Sequence, residues 1–259
     1  MMTDNNQIII NYEPILDFEI LDFLPLEFNT PQQVEFIGYL IETFNNNWRE
    51  VNDFELYQIA FKAFYDLYMV FIFVKIWQLK ENKNSEFLEL LNTYDKSDQK
   101  NLTRYKNINS PGSLFEISTL KDKKVFNLLK ILNLHNNQIE DFTKYINIRN
   151  HCSHPSGFIQ YRYENLEKYL QEIINYCISI QTKFYPLLIE IFKNFLINNF
   201  DLYGDPNIFN DTLVKPNFLS IVEIKYLCKF NIKLLEKHEN YREISRFMNY
   251  FLEQYPYIL

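Results

Sequence analysis

Glycine is scarce in this chain, and its scarcity restricts the folds that the chain can adopt. The 259 residues contain only four glycines, Gly38, Gly112, Gly157 and Gly204. A β-sandwich or barrel joins many short strands through tight turns, and such turns rely on glycine because it accepts a positive φ. A helical protein needs fewer of these turns. The composition therefore favours an all-α fold.

Apolar residues recur at the three- and four-residue spacing of a helix with one buried face. The clearest run is Leu166, Tyr169, Leu170, Ile173, Ile174 and Cys177. We predict an antiparallel bundle of four to five core helices. Their predicted bounds are 31–47, 52–81, 123–134, 138–154 and 163–199, with a short helix at 86–92.

The turn-forming residues divide the predicted chain into four parts. Residues 1–30 read as an N-terminal arm, and Thr30 followed by Pro31 is a typical helix start. The bundle spans residues 31–200. Gly204, Pro206 and Pro216 mark residues 201–217 as a linker. Residues 218–259 form a small helical C-terminal extension, with helices predicted at 222–237 and 241–255.

The most apolar stretch, residues 59–79, is a poor membrane span because it contains Lys62, Asp66 and Lys75. Charges inside a bilayer are costly, so we expect a buried core helix and no membrane association. The N-terminus lacks a basic region before an apolar run, so we expect no secretory signal.

The cysteines also bear on location. Cys152, Cys177 and Cys228 are odd in number and form no CxxC pair. That usage is typical of free thiols in a reducing cytoplasm, and we expect a cytoplasmic protein.

The charge distribution permits a local anion-binding surface on an acidic protein. The net charge of −7 argues against wholesale electrostatic binding of nucleic acid. Residues 96–130, however, contain eight Lys and Arg against three acidic residues. This segment is either a basic binding surface or an ordinary solvated face.

The most informative motif is the run Arg149-Asn150-His151-Cys152-Ser153-His154. Pro155 disfavours helical geometry at the preceding residue, so the predicted helix ends at His154. Arginine holds phosphate oxygens with a fixed charge, and histidine gains and loses a proton near neutral pH. Cleavage of RNA by its own 2′-hydroxyl requires proton transfer and stabilisation of charge on phosphorus, but no metal.

The pattern Arg149-Asn150-x-x-x-His154 at a helix junction resembles the R-x4-6-H signature of the HEPN superfamily (higher eukaryotes and prokaryotes nucleotide-binding). The resemblance covers residues 125–199. It implies a homodimer with a composite active site that cleaves RNA without a metal or cofactor and leaves a 2′,3′-cyclic phosphate. Arg149 would bind the scissile phosphate, His154 would transfer protons and Asn150 would help to position them. Such proteins are typically toxins or antiphage effectors, so an antitoxin or effector partner is a further expectation.

Neighbouring residues are secondary candidates. His151 is either a substrate-contacting imidazole or an exposed helix residue. Tyr161 and Arg162 are candidates for base stacking and phosphate contact, or for packing. Cys152 beside Arg149 is a candidate for a lowered pKa, or a small buried residue. A metal site is not expected, because His151, Cys152 and His154 cannot all point at one ion from a regular helix.

Two other functions stay open at this point. One is a non-catalytic HEPN-type module that binds nucleotide, RNA or a partner protein. The other is a helical interaction protein in which Arg149 and His154 only cap the helix and pair with acidic residues.

Overall fold

The computed structural model describes residues 19–48, 54–101, 114–153, 163–205 and 207–256. Over these residues the chain is helical, with no β-strand and one isolated bridge between Pro25 and Ser220. The all-α helical bundle is therefore confirmed. The α-helices are α1 (Pro31–Trp48), α2 (Phe54–Asn82), α3 (Asn84–Asn92), α4 (Lys96–Asn101), α5 (Asp122–Asn127), α6 (Asn136–Phe142), α7 (Ile146–Ser153), α8 (Tyr163–Asn199), α9 (Ile221–Leu227) and α10 (Tyr241–Gln254).

Helix α2 is the centre of the bundle, and α1, α7 and α8 pack around it. Its residues between Ala60 and Leu79 are almost all buried, which explains the apolar run at 59–79. Lys62 forms an ion pair with Asp66 at 2.8 Å on the partly exposed side. No helix in the described part of the chain is both long and apolar enough to cross a membrane.

Helix α1 begins where its sequence predicts. The Thr30 hydroxyl accepts a hydrogen bond from the backbone N–H of Gln33 at 3.3 Å, and the Gln33 side chain accepts one in return from the Thr30 N–H at 3.2 Å. This reciprocal pair is a capping box, which satisfies N–H groups that have no partner inside the helix. The predicted start at residues 30–31 is confirmed.

The predicted helix at 123–134 is wrong as a continuous element. Helix α5 ends at Asn127, and a 3-10 helix follows over Leu128–Leu132. Asn133 then takes a left-handed conformation with a φ of 58°, which ends the segment. Asparagine tolerates this conformation better than most residues do. The helical segment therefore ends before Asn133, short of the predicted bound at 134.

The predicted helix at 138–154 is also wrong as a single element. Helix α6 ends at Phe142, and α7 begins at Ile146. The Thr143 hydroxyl donates to the carbonyl of Glu140 at 2.9 Å, and the N–H of Lys144 bonds to the carbonyl of Asp141 at 3.1 Å. These bonds take the place of the regular backbone hydrogen bonds of a continuous helix. The break makes α7, which carries Arg149, a separate helix.

Helix α8 confirms the prediction at 163–199, and its apolar face lies in the core. The helix continues through Pro186. Phe192 and Phe195 on its C-terminal half contact Phe251 and Phe247 of α10, with ring centroids 4.9 and 5.6 Å apart. The predicted helix at 241–255 corresponds to α10.

Residues after α8 contribute to the same apolar core. The predicted linker at 201–217 contains a 3-10 helix and a π-helix and buries four apolar side chains, Ile208, Phe209, Leu213 and Val214. The predicted helix at 222–237 is wrong in its second half, because α9 ends at Leu227 and a 3-10 helix forms over Ile232–Leu235. The division of the chain into domains stays a prediction.

Candidate functional site

Arg149 lies in the middle of α7, and α7 packs against the central helix α2. Its backbone N–H bonds to the carbonyl of Tyr145 at 2.9 Å, which ties it to the turn that precedes the helix. The Ser153 hydroxyl donates to the Arg149 carbonyl at 2.8 Å near the other end of α7. The motif arginine is therefore held on a short helix whose two ends have defined contacts.

The guanidinium of Arg149 forms an ion pair with Asp122, the first residue of α5. Its Nη2 donates to Asp122 Oδ2. The same oxygen accepts a hydrogen bond from the Tyr65 hydroxyl at 3.1 Å. The guanidinium carbon also lies 5.1 Å from the centroid of the Tyr65 ring, in a cation–π contact. Three helices, α2, α5 and α7, thus meet at Arg149.

The electrostatics of this cluster keep both hydrogen-bond donors to Asp122, Arg149 and Tyr65, protonated. Burial acts to lower the pKa of Arg149, but the Asp122 carboxylate acts in the opposite direction, and the net result is a raised pKa. Burial, and then the nearby Asp122 charge, raise the pKa of the Tyr65 hydroxyl. Arg149 therefore stays a cation and Tyr65 a neutral donor at physiological pH.

The ion pair leaves part of the guanidinium unused. The Arg149 side chain is 25% exposed and that of Asp122 is 22% exposed. Arg149 Nε is buried and has no hydrogen-bond partner among the described residues. Since Nε is enclosed, an incoming anion would meet the Nη nitrogens.

A second polar contact fixes the turn in front of α7 to the long helix α8. Glu172 of α8 accepts a hydrogen bond from Lys144 Nζ at 2.7 Å and another from the buried Tyr145 hydroxyl. Hydrogen bonds from Lys144 and Tyr145 lower the pKa of Glu172. The carboxylate thus braces the start of the helix that carries the motif.

The described neighbours of Arg149 differ in their surroundings. Asn150 is half-buried and His151 is exposed. Cys152 is half-buried, and burial raises its pKa to about 12. Of the two alternatives for Cys152, the lowered pKa is therefore wrong, because the loss of hydration on burial is the largest influence on this thiol and raises its pKa. All three cysteines are free thiols.

Three predicted site residues, His154, Tyr161 and Arg162, lie outside the described residues. The structure therefore places Arg149, Asn150 and His151 on α7 and does not describe the second half of the predicted site. Among the residues it does describe, no three His, Cys, Asp or Glu side chains are grouped closely enough to hold a metal ion.

The sequence did not single out Asp122, Tyr65 or Glu172 as parts of this site. Asp122 lay within the predicted basic segment at 96–130. In that segment Lys124 forms ion pairs with Asp98 and with Asp95, the latter at 2.9 Å. Some of the basic charge is thus neutralised within the bundle.

Comparison of the chain with protein-family models, with curated proteins and with solved structures gives no match. The resemblance to the HEPN superfamily consequently rests on the motif residues and their helical setting.

Proposed function

We propose that the protein is a metal-independent endoribonuclease of the HEPN type, acting as a toxin or antiphage effector. The observation that carries the proposal is the state of Arg149. It is a permanent cation on a helix with defined contacts at both ends, its side chain is partly exposed, and its buried Nε leaves the Nη nitrogens to meet an incoming anion. His154 follows α7 in sequence at the spacing that the motif requires.

In this proposal the RNA supplies its own nucleophile. A 2′-hydroxyl attacks the adjacent phosphorus, its proton passes to a base, and the departing 5′-oxygen receives a proton. His154 is the residue for these proton transfers, because imidazole titrates near neutral pH. Arg149 stabilises the negative charge that develops on the phosphoryl oxygens. Asn150 helps to position the two, and a homodimer would supply two copies of the motif to one cleft.

The ion pair with Asp122 favours a second candidate. In a helical interaction protein Arg149 would only stabilise the fold. An arginine whose charge is already paired fits that role. A non-catalytic HEPN-type module that binds RNA or a partner is compatible with the same contact. Activity separates these candidates from the nuclease.

The test is incubation of purified protein with a mixed RNA pool in excess EDTA. Wild type is compared with Arg149→Ala and His154→Ala, and Arg246→Ala is the matched control. The guanidinium carbon of Arg246 also lies over a tyrosine ring, 5.6 Å from the centroid of Tyr203. Arg246, however, belongs to α10. We expect wild type and Arg246→Ala to cut RNA and the two motif variants to lose at least about a hundredfold in rate. Cleavage by folded His154→Ala at the wild-type rate would remove His154 from the mechanism.

A further inference from the structure

The contacts around Arg149 fix the orientation of its guanidinium before any ligand binds. An arginine side chain is long and flexible, and a planar group at its end can rotate unless neighbouring groups hold it. Here Nη2 donates to Asp122, and the guanidinium carbon lies over the Tyr65 ring, 5.1 Å from its centroid. A hydrogen bond at one nitrogen and a cation–π contact from a second residue together restrict rotation of the group.

The two holding residues are themselves fixed. Tyr65 is fully buried on α2. Its hydroxyl donates at 3.1 Å to the same Asp122 oxygen that accepts from Arg149, so the acceptor is held from two directions. Asp122 also stays close to the bundle because α5 contacts α2.

We infer that Asp122 and Tyr65 are positioning residues for Arg149, which hold its Nη nitrogens ready for a phosphodiester of RNA. The inference rests on the proposed function for the identity of the ligand. Neither residue touches the reacting atoms. Their contribution is preorganisation, because a misplaced binding group slows a reaction even when the group is present.

The charge of Asp122 gives the inference a readout that a purely structural role lacks. A carboxylate beside the binding arginine repels an incoming phosphate, so its removal should not weaken RNA binding. Its removal also frees the guanidinium to rotate, so the chemical step should slow. Asp122→Ala is thus expected to slow cleavage without weakening RNA binding. A loss of fold would instead impair both together.

The experiment measures single-turnover cleavage and the affinity for a 2′-O-methyl RNA that cannot be cleaved. We expect Asp122→Ala to slow cleavage about tenfold or more without weakening binding. Asp122→Asn should keep most of the rate, because its amide oxygen still accepts from both donors. The cleavage rate of Tyr65→Phe should fall between those of Asp122→Ala and Asp122→Asn, since this variant keeps the ring and loses the hydroxyl. Asp98→Ala is the matched control, because Asp98 is also a partly buried acid paired with a cation, Lys124.

A separate measurement tests the positioning without reference to cleavage. The NMR order parameter of the Arg149 Nε–Hε bond should be well above that of Arg242, an exposed arginine on α10, and should fall in Asp122→Ala. Wild-type cleavage by folded Asp122→Ala, or an Arg149 as mobile as Arg242, would overturn the inference. If wild type cuts no RNA, the proposed nuclease function fails, and the order parameters alone decide whether Asp122 and Tyr65 hold Arg149.

Discussion

At the scale of single residues, burial decides which side chains near the motif are chemically available. Arg149 keeps its charge because Asp122 compensates for its partial burial. Cys152 has no such compensation, and its pKa rises to about 12. Helix α7 therefore carries a charged group at Arg149 and an un-ionised thiol at Cys152.

The raised pKa of Cys152 predicts an unreactive thiol. At pH 8 only about one such thiol in ten thousand is ionised, and the thiolate is the nucleophile. We expect native protein to react with iodoacetamide at pH 8 at least about a hundredfold more slowly at Cys152 than the same protein in urea. Peptide mapping by mass spectrometry measures both rates. Equal rates in the native and denatured chains would contradict the burial of this side chain.

At the scale of elements, the Glu172 brace is expected to position and stabilise the turn before α7. Above the ordinary pKa of a glutamate, about 4.5, the carboxylate is charged in both the folded and the unfolded chain, and its bonds to Lys144 and Tyr145 stabilise the fold. As the pH falls through the lowered folded pKa, the carboxylate is protonated and this stabilisation is lost.

Glu172→Gln tests the brace. We expect the free energy of unfolding to fall by about 1 kcal/mol at pH 7, because glutamine still accepts from the buried Tyr145 hydroxyl but lacks the charge that strengthens this bond, while Lys144 is half exposed and contributes little. The difference from wild type should shrink as the pH is lowered toward about 3. Urea titrations at several pH values measure it. Glu190→Gln, an exposed position on the same helix, is the control; an effect of equal size there would argue against a specific brace.

The elements that the sequence predicted well are those whose signals are local. Thr30, Pro31 and Gln33 mark the start of α1 within four residues, and the apolar face of α8 repeats along the whole helix. The break between α6 and α7 was missed because part of its stabilisation comes from Glu172, 27 residues away from Tyr145. Asp122 and Tyr65 were missed for the same reason, since they are 57 residues apart and only the fold brings them together.

At the scale of the whole molecule, a buried ion pair joins the bundle to the C-terminal residues. Lys75 of α2 and Glu223 of α9 are both fully buried, with Lys75 Nζ 2.7 Å from Glu223 Oε1. Gln78 donates to the Asn217 carbonyl at 2.8 Å, and Glu223 Oε2 accepts from the N–H of Ser220 at 2.9 Å. Burial lowers the pKa of Lys75, and Glu223 opposes that change. Residues from both sides of the predicted linker share this network.

The ion pair predicts strong coupling between its two partners. Lys75→Met or Glu223→Gln alone should lower the free energy of unfolding by about 3–5 kcal/mol, because each leaves a buried group without its partner. The double variant should lose less than the sum of the two. Glutamine at 223 keeps an oxygen for the Ser220 N–H, so α9 retains its cap. A double-mutant cycle by urea unfolding measures the coupling. Additive losses, or two separate unfolding transitions, would contradict a shared core.

For the whole molecule, the proposed reaction is attack by the 2′-hydroxyl of RNA, promoted by Arg149 and His154. The most direct measurement places one 2′-deoxynucleotide at a mapped cleavage site of an otherwise unchanged RNA, in EDTA. We expect this bond alone to become resistant, while other sites are still cut and end in 2′,3′-cyclic phosphate. Continued cleavage at the 2′-deoxy position, or no cleavage of any RNA by the folded protein, would contradict the proposed function.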